Sequence, residues 1–275
     1  MSIQTLLLGA LALAPAAINA APTATNAIND CINLRIHGWY LVGECLTGQD
    51  ATTRIESSVL LHNIVTTKND ILQWGQDSKG IKRCEKCTVD SDLVLTCRCS
   101  ELTYPAFGTV SSLKLSEHIN VYSGFLLQDF KGPPKPPATV SSIKIPADNS
   151  YQIRQGGTTC FHPTKPEVCK NSPVQDAGKC SSSHTLISGA GEPLQCYSYY
   201  NPAYLNYPDS YFIFEYMAVS AVTPAAWEFL YYDNLECKGE PMRVATGSEL
   251  NDNCLRFSDK LVYAFTAKPL WNADY

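Results

Sequence analysis

The chain lacks several features that would point to common functions. After its first 20 residues it has no apolar run long enough to cross a bilayer, which excludes a helical membrane span downstream. It has no basic cluster and a formal net charge of −5, so nucleic acid and anionic membranes are poor partners. No Asn-x-Ser/Thr sequon occurs, and no N-linked glycan is expected on the protein itself. The five histidines, His37, His62, His118, His162 and His184, are isolated from one another and read as structural or solvated. Gly189-Ala190-Gly191 is not followed by Lys-Ser/Thr and is no phosphate loop. From residue 138 onward no helical period is evident.

What the chain does have begins with an export signal. Leu6-Leu7-Leu8 and Leu11-Ala12-Leu13 form a short apolar run, followed by small residues and a cleavage site at Ile18-Asn19-Ala20. Residues 1–20 are therefore read as a signal peptide, and the protein as secreted and extracellular. All twelve cysteines lie downstream, and an even count in an exported chain reads as a disulfide framework. Cys84-x2-Cys87 followed by Cys97-x-Cys99 also has the spacing of four zinc ligands. Export favours disulfides, so no metal and no other cofactor is expected.

Two domains follow from one linker. Residues 131–137, Lys-Gly-Pro-Pro-Lys-Pro-Pro, carry four prolines without ladder donors and read as a stiff polyproline spacer. They separate a unit at 29–130 from a second at 138–275. The first unit is an internal repeat. Ser57-Ser58-Val59-Leu60-Leu61 returns as Ser111-Ser112-Leu113-Lys114-Leu115, and the same offset carries Val65 onto Ile119, Leu72 onto Leu126 and Cys45 onto Cys99. Cys31 to His37 alternates apolar Ile32, Leu34 and Ile36 with polar neighbours, the period of a half-buried strand, and Gly38 supplies a turn. Cys87 to Cys97 makes a similar hairpin about Asp90-Ser91-Asp92. Each hairpin is tied at its open end by cysteines, and closing a loop of about 15 residues contributes on the order of 3 kcal/mol. Each unit is too small to be stable singly, so Val59, Leu61, Val65 and Leu72 are expected to share a core with Leu113, Leu115, Ile119 and Leu126.

These residues resemble a known family. Cys31…Gly38…Leu41…Cys45, Ser57-Ser58-Val59-x-Leu61 and Asn69-Asp70-Ile71-Leu72-x-Trp74, repeated as Cys84…Cys99, Ser112-Leu113-x-Leu115, His118-Ile119 and Gly124-Phe125-Leu126, are similar to the cyanovirin-N family of lectins, over about 29–129. The extra pair Cys87 and Cys97 looks like its fungal branch. The resemblance implies an all-β pseudo-twofold fold with strands exchanged between repeats, and non-catalytic binding of mannose-type oligosaccharides without metal. It also implies Cys31–Cys45 and Cys84–Cys99, with Cys87–Cys97 nested inside; Cys84 and Cys87 differ by three, so a bend or bulge must lie at Cys84. A strand-swapped dimer through the connector near 76–80 is a further expectation.

Carried over position by position, the family's better site falls on Thr66, Thr67 and Asn69, then Asp77, Ser78, Lys82 and Arg83, then Ser100, Glu101 and Tyr104. Thr66 stands where the family has Glu, Asn69 where it has Asp, and Leu102 where it has Arg. Asn69-Asp70 replaces Asp-Gly, so this turn is expected to bend differently. At the second site Leu46, Val121 and Ser123 replace Glu, Asn and Asp, leaving Asn29, Asp30, Thr47, Gln49 and Tyr122. Sugar hydroxyls need hydrogen-bonding side chains, which apolar replacements cannot supply.

The second unit reads as a disulfide-rich β domain. Tyr211 to Tyr216, Trp227 to Tyr232 and Leu261 to Phe265 have strand composition. Proximity suggests Cys160–Cys169, Cys180–Cys196 and Cys237–Cys254, among the many connectivities six cysteines allow. The aromatics from Tyr197 to Tyr216, including Tyr199, Tyr200, Tyr204 and Tyr207, suit core packing more than an exposed sugar platform. Glu215, Glu228, Asp233 and Glu236 cannot be assigned to one cleft as a glycosidase pair. The reading is a non-enzymatic, secreted carbohydrate-binding protein whose partners are oligosaccharides or glycoproteins of mannose or cell-wall type. The alternative is an extracellular interaction or effector-like protein that uses the lectin fold without sugar.

Overall fold

A computed structural model describes residues 28–76, 81, 84–100, 108–165, 180, 185–189, 193–200, 211–257 and 260–275, apart from the side chains of 29, 158–160, 185–189, 200 and 212. Residues 1–20, expected as a signal peptide, lie outside the described residues. In the front unit, β1 (Ile32–His37) and β2 (Tyr40–Leu46) form a hairpin whose turn Gly38 holds at φ +57°, and β3 (Arg54–Leu60) completes an antiparallel sheet. A 3-10 turn at Leu61–Asn63 leads into the hairpin of β4 (Val65–Lys68) and β5 (Ile71–Trp74). The second repeat copies the plan: β6 (Cys84–Val89), β7 (Val94–Cys99) and β8 (Thr109–Lys114), a 3-10 turn at Leu115–Glu117, then β9 (Ile119–Tyr122) and β10 (Phe125–Gln128).

The hairpins are exchanged between the repeats. Leu72 on β5 donates its backbone N–H to Ser111 Oγ on β8 at 2.9 Å, and Leu126 on β10 does the same to Ser57 Oγ on β3 at 2.9 Å. These are one contact seen twice across the pseudo-twofold. The repeated Ser-Ser pair is thus explained: its first serine satisfies a buried donor of the opposite repeat, which would otherwise cost about 1–3 kcal/mol. The shared core takes Leu41, Val59, Leu61, Val65 and Leu72 from the first repeat and Leu95, Leu115, Ile119 and Leu126 from the second, with Leu113 partly buried beside them.

Three disulfides brace the two sheets: Cys31–Cys45, Cys84–Cys99 and Cys87–Cys97. The four cysteines with zinc-like spacing are therefore paired with one another. Between Cys84 and Cys87 the β6–β7 register shifts, with Lys86 at φ +52°, and this bulge turns both sulfurs toward β7 despite their odd spacing. The β1–β2 pair carries the same device, with Asn33 at φ +56°.

The chain continues through β11 (Tyr151–Phe161), β12 (Thr185–Gly189), β13 (Leu194–Tyr197), β14 (Tyr199–Tyr200), β15 (Tyr211–Ala221), β16 (Trp227–Tyr232), β17 (Arg243–Thr246), β18 (Leu255–Arg256), β19 (Ala264–Pro269) and β20 (Ala273–Asp274). One antiparallel sheet runs β12-β11-β15-β14, with β18 also on β15, and a second runs β13-β19-β16-β17. Trp227, Phe229 and Tyr231 alternate inward along β16, and Tyr151 and Ile153 along β11, so the two sheets close on one aromatic core. Tyr151 meets Trp227 and Phe229 edge-on at 5.0 and 5.2 Å. The aromatics expected as core packing include Phe214, which is buried, and Tyr197, 5.2 Å from Phe265; Tyr204 and Tyr207 lie outside the described residues.

Two expectations for this unit are corrected. Its described disulfides are Cys180–Cys254 and Cys196–Cys237, not Cys180–Cys196 and Cys237–Cys254. Sequence proximity misleads here, because Cys196 lies on β13 of one sheet while Cys180 and Cys254 precede β12 and β18 of the other. Cys169 lies outside the described residues, and Cys160–Cys169 with it. Leu261–Phe265 is not a strand throughout: Val262 makes an isolated bridge to Phe214, and β19 starts at Ala264.

The two units meet through the C-terminus. β20 lies parallel to β3, with Ala273 opposite Ser58 and Asp274 opposite Val59, so the front sheet reads β1-β2-β3-β20. Ser58 N–H donates to Asn272 O at 2.8 Å, and Trp271 Nε1 donates to Ser58 Oγ at 3.2 Å. Asn272 Nδ2 reaches Glu56 O at 2.9 Å and Ser141 O at 3.1 Å, while its Oδ1 accepts Ser141 N–H at 2.7 Å. The Trp271 ring stands edge-on to Tyr40 at 5.8 Å and to Trp227 at 4.9 Å. Tyr40, Val42 and Leu60, on the outer face of the front sheet, consequently belong to the core of the second unit. Residues 131–137 join no ladder, and the segment beyond them returns to the seam, where Ile145 N–H donates to Glu56 Oε1 at 2.9 Å.

Candidate functional site

The pseudo-twofold gives the front unit two equivalent ends, each built on the tip of an exchanged hairpin. At the first tip, Asn69 and Asp70 connect β4 to β5 with φ of +51° and +64°. Both central residues in the left-handed region define a type I′ turn, whose twist suits a two-residue hairpin. Ser123 and Gly124 adopt the same conformation at the other tip, at +53° and +88°. Asn69-Asp70 thus bends as the Ser123-Gly124 tip does, because Asn and Asp are the side chains that best tolerate this region.

The candidate residues separate by burial. Asn69 is exposed at the tip and Thr67 is half-buried beside it. Thr66 is buried, its methyl group against Gly75, where an added Cβ would come within 2.4 Å. Ser100, just after β7, is buried too. Asp77, Ser78, Lys82, Arg83, Glu101 and Tyr104 lie outside the described residues. Exposed Lys68 lies between Thr67 and Asn69, and exposed Gln73 stands opposite Thr66 on the same hairpin. The positional comparison overlooked them; the alternation along β4 and β5 was the available signal.

The opposite end is closed by apolar packing. Tyr122, Phe125 and Leu127 are buried in a small cluster against Ile55. Val121 is fully buried in the main core, and Leu46 is half-buried. An added Cβ at Gly124 would meet Ile55 at 2.7 Å, so the tip lies directly on this plug. The polar groups here serve the loop. Thr47 is buried and its Oγ1 accepts Gln49 N–H at 3.3 Å. The exposed Asp50 accepts from the hydroxyl and N–H of Thr53 and from Thr52, and these bonds hold its carboxyl well below the usual range.

The four carboxylates considered for catalysis are each ion-paired. Glu215 pairs with Arg256 at 3.0 Å, Glu228 with Lys268 at 2.9 Å, Asp233 with Lys260 at 2.6 Å and Glu236 with Lys238 at 2.5 Å. Hydrogen bonds from the lysines hold the Asp233 and Glu236 carboxyls below their ordinary values. A glycosidase acid needs the reverse shift. Among the described residues no three His, Cys, Asp or Glu side chains converge as metal ligands.

The chain is an all-β protein in which a pseudo-twofold, strand-exchanged front unit is joined to a disulfide-braced two-sheet unit. No family model and no curated protein matches it. Several solved cyanovirin-N (CVNH) structures from fungi are similar to part of it. The NMR structure of Gibberella zeae CVNH is 20% identical, covering 38% of this chain and 97% of its own, with a TM-score of 0.32. That of T. borchii CVNH is 21% identical, covering 36% and 95%, also at 0.32. A variant of MoCVNH3, solved in complex with (N-GlcNAc)4, is 15% identical, covering 38% and 99%, at 0.31.

Proposed function

We propose that this is a secreted, non-enzymatic carbohydrate-binding protein whose site is the end of the front unit carrying the β4–β5 tip. One observation carries the choice of end: the hairpin of the first tip presents Thr67, Lys68, Asn69 and Gln73, whereas the second is filled by Tyr122, Phe125 and Leu127. A sugar hydroxyl buried without a partner costs about 1–3 kcal/mol, so the apolar end is the poorer site. Asp77, Lys82, Arg83 and Glu101 complete the proposed site with groups of both charge signs. The ligand class is mannose-type or cell-wall oligosaccharide.

Titration of the full chain with oligomannose and with N-acetylglucosamine oligomers, followed by amide resonances, tests this. The resonances of Thr67 and Asn69 are expected to shift and that of Gln49 to stay. Asp77→Ala with Arg83→Ala should weaken binding about tenfold or more, equivalent to losing one or two hydrogen bonds. Asn29→Ala with Gln49→Ala should leave it unchanged, and the opposite pattern would assign the site to the other end. The burial of Thr66 and Ser100 favours a second reading, in which the fold serves a protein partner. That reading takes over when neither sugar shifts a resonance at either end.

A further inference from the structure

We infer that a second binding site, for a neutral oligosaccharide, lies on the C-terminal unit between Phe161, Tyr263 and the loop 233–238. These residues enclose an open depression of about 580 Å³, within the range of small-molecule clefts. The two rings stand edge-to-face with centroids 4.8 Å apart, and both side chains are half-buried, so they form a wall with its remaining ring surface toward the depression. Aromatic surface of this kind packs against the C–H faces of a pyranose.

The opposite wall is held in place before any ligand arrives. Asn234 Oδ1 accepts from the N–H groups of Glu236 and Lys238 at 3.2 and 3.0 Å, and its Nδ2 donates to Lys238 O at 2.9 Å. Cys237, between Glu236 and Lys238, is bonded to Cys196 on β13. A braced loop loses little conformational freedom on binding. The Glu236 and Lys238 N–H groups are committed to Asn234, so neither serves as a ladder donor to an extended peptide, which strand addition would require.

The charges select the ligand class. Asp233 and Glu236 are matched by Lys260 and Lys238, so the rim has no excess of either sign and suits neither a phosphate nor a cation. Asp233 and Glu236 supply carboxylate acceptors and Lys238 an ammonium donor to its lining, the kinds of group that vicinal hydroxyls use. The side chains of Lys238 and Glu236 are 80% and 66% exposed, so their pairing is solvent-screened and contributes little to stability. Exchanging that pairing for ligand hydroxyls is therefore cheap. This site is independent of the one on the front unit, and together they make the chain bivalent.

The test titrates the full chain with mannotriose, triacetylchitotriose and laminaritriose to millimolar concentration, reading amide resonances. At least one sugar is expected to shift Asn234, Leu235, Glu236 and Tyr263, and to do so equally in a Thr67→Ala/Asn69→Ala background. Glu236→Ala with Lys238→Ala, at exposed positions that do not threaten folding, should weaken those shifts about tenfold. Tyr263→Leu should weaken them likewise, with the far resonances unchanged as a check on folding. Shifts confined to the front unit overturn this site while leaving the first intact. Undiminished binding by the Glu236/Lys238 double variant, or no shift in the loop with any of the three sugars, also overturns it.

Discussion

At the scale of single residues, the seam between the units contains a titrating group. Asp274 accepts the Gln128 N–H at 2.9 Å, and burial pushes its carboxyl above the ordinary value, opposed by that hydrogen bond and by the Lys131 charge. Lys131 is itself pushed down by the same burial. A raised carboxyl means that the folded chain holds more protons than the unfolded one between the ordinary value and the raised one. Stability from this group is therefore lost as pH rises through that window. Asp50, Asp148 and Glu249 are shifted downward and act in the opposite direction, so wild type alone cannot reveal the effect. A difference can. Asp274→Asn keeps an acceptor for Gln128 and cannot ionise, so its melting temperature relative to wild type should become more favourable between about pH 4 and pH 7. An equal gap at both ends of that range would show that the carboxyl at the seam is not linked to folding.

At the scale of elements, the hairpins were the legible part of the sequence. The bonded cysteines of the front unit are 14, 15 and 10 residues apart, each pair on a single hairpin, and period-2 alternation with turn residues is enough to find such pairs. Cys180–Cys254 and Cys196–Cys237 span 74 and 41 residues, and long-range strand pairing, not a local hairpin, brings their partners together; β13, which carries Cys196, and β16, which precedes Cys237, lie in one sheet. The candidate site was legible in position and not in exposure. Thr66 and Thr67 are adjacent on β4, yet Thr66 is buried on Gly75 while Thr67, opposite buried Leu72, is half-buried, a difference made by packing and not by residue type. The tip itself supports a prediction. Asp70 sits at φ +64° where Gly124 stands at the equivalent place, so Asp70→Gly relieves left-handed strain at a small entropic cost. The urea midpoint should rise by the equivalent of about 0.5 kcal/mol. A fall would mean that the Asp70 side chain holds the turn more strongly than the backbone strains it.

At the scale of the whole molecule, the pseudo-twofold is broken by what sits on one face. Tyr40, Val42 and Leu60 cover the outer side of the first repeat's sheet; the equivalent positions of the second are Val94, Thr96 and Lys114. There Thr96 Oγ1 and Ser112 Oγ share a 2.8 Å hydrogen bond, and Lys114 is exposed. The second unit therefore has one apolar face on which to dock, and this asymmetry was present in the repeat comparison, which looked only at the positions that agree. Docking also covers the edge of β3, whose unpaired groups would otherwise template association with another chain. Removing residues 271–275 should take away both effects. It deletes Trp271, buried between Tyr40 and Trp227, and truncating a buried Trp costs about 3–5 kcal/mol. It also removes the hydrogen bonds of Asn272 and β20 to the front sheet. The full chain is expected to melt in one calorimetric transition, and the truncated chain in two, with concentration-dependent sedimentation from the exposed β3 edge. Trp271→Phe, which keeps a ring in the core and loses only the bond to Ser58, should retain the single transition. If the truncated chain still melts once, at an unchanged temperature and as a monomer, then the seam does not couple the two units.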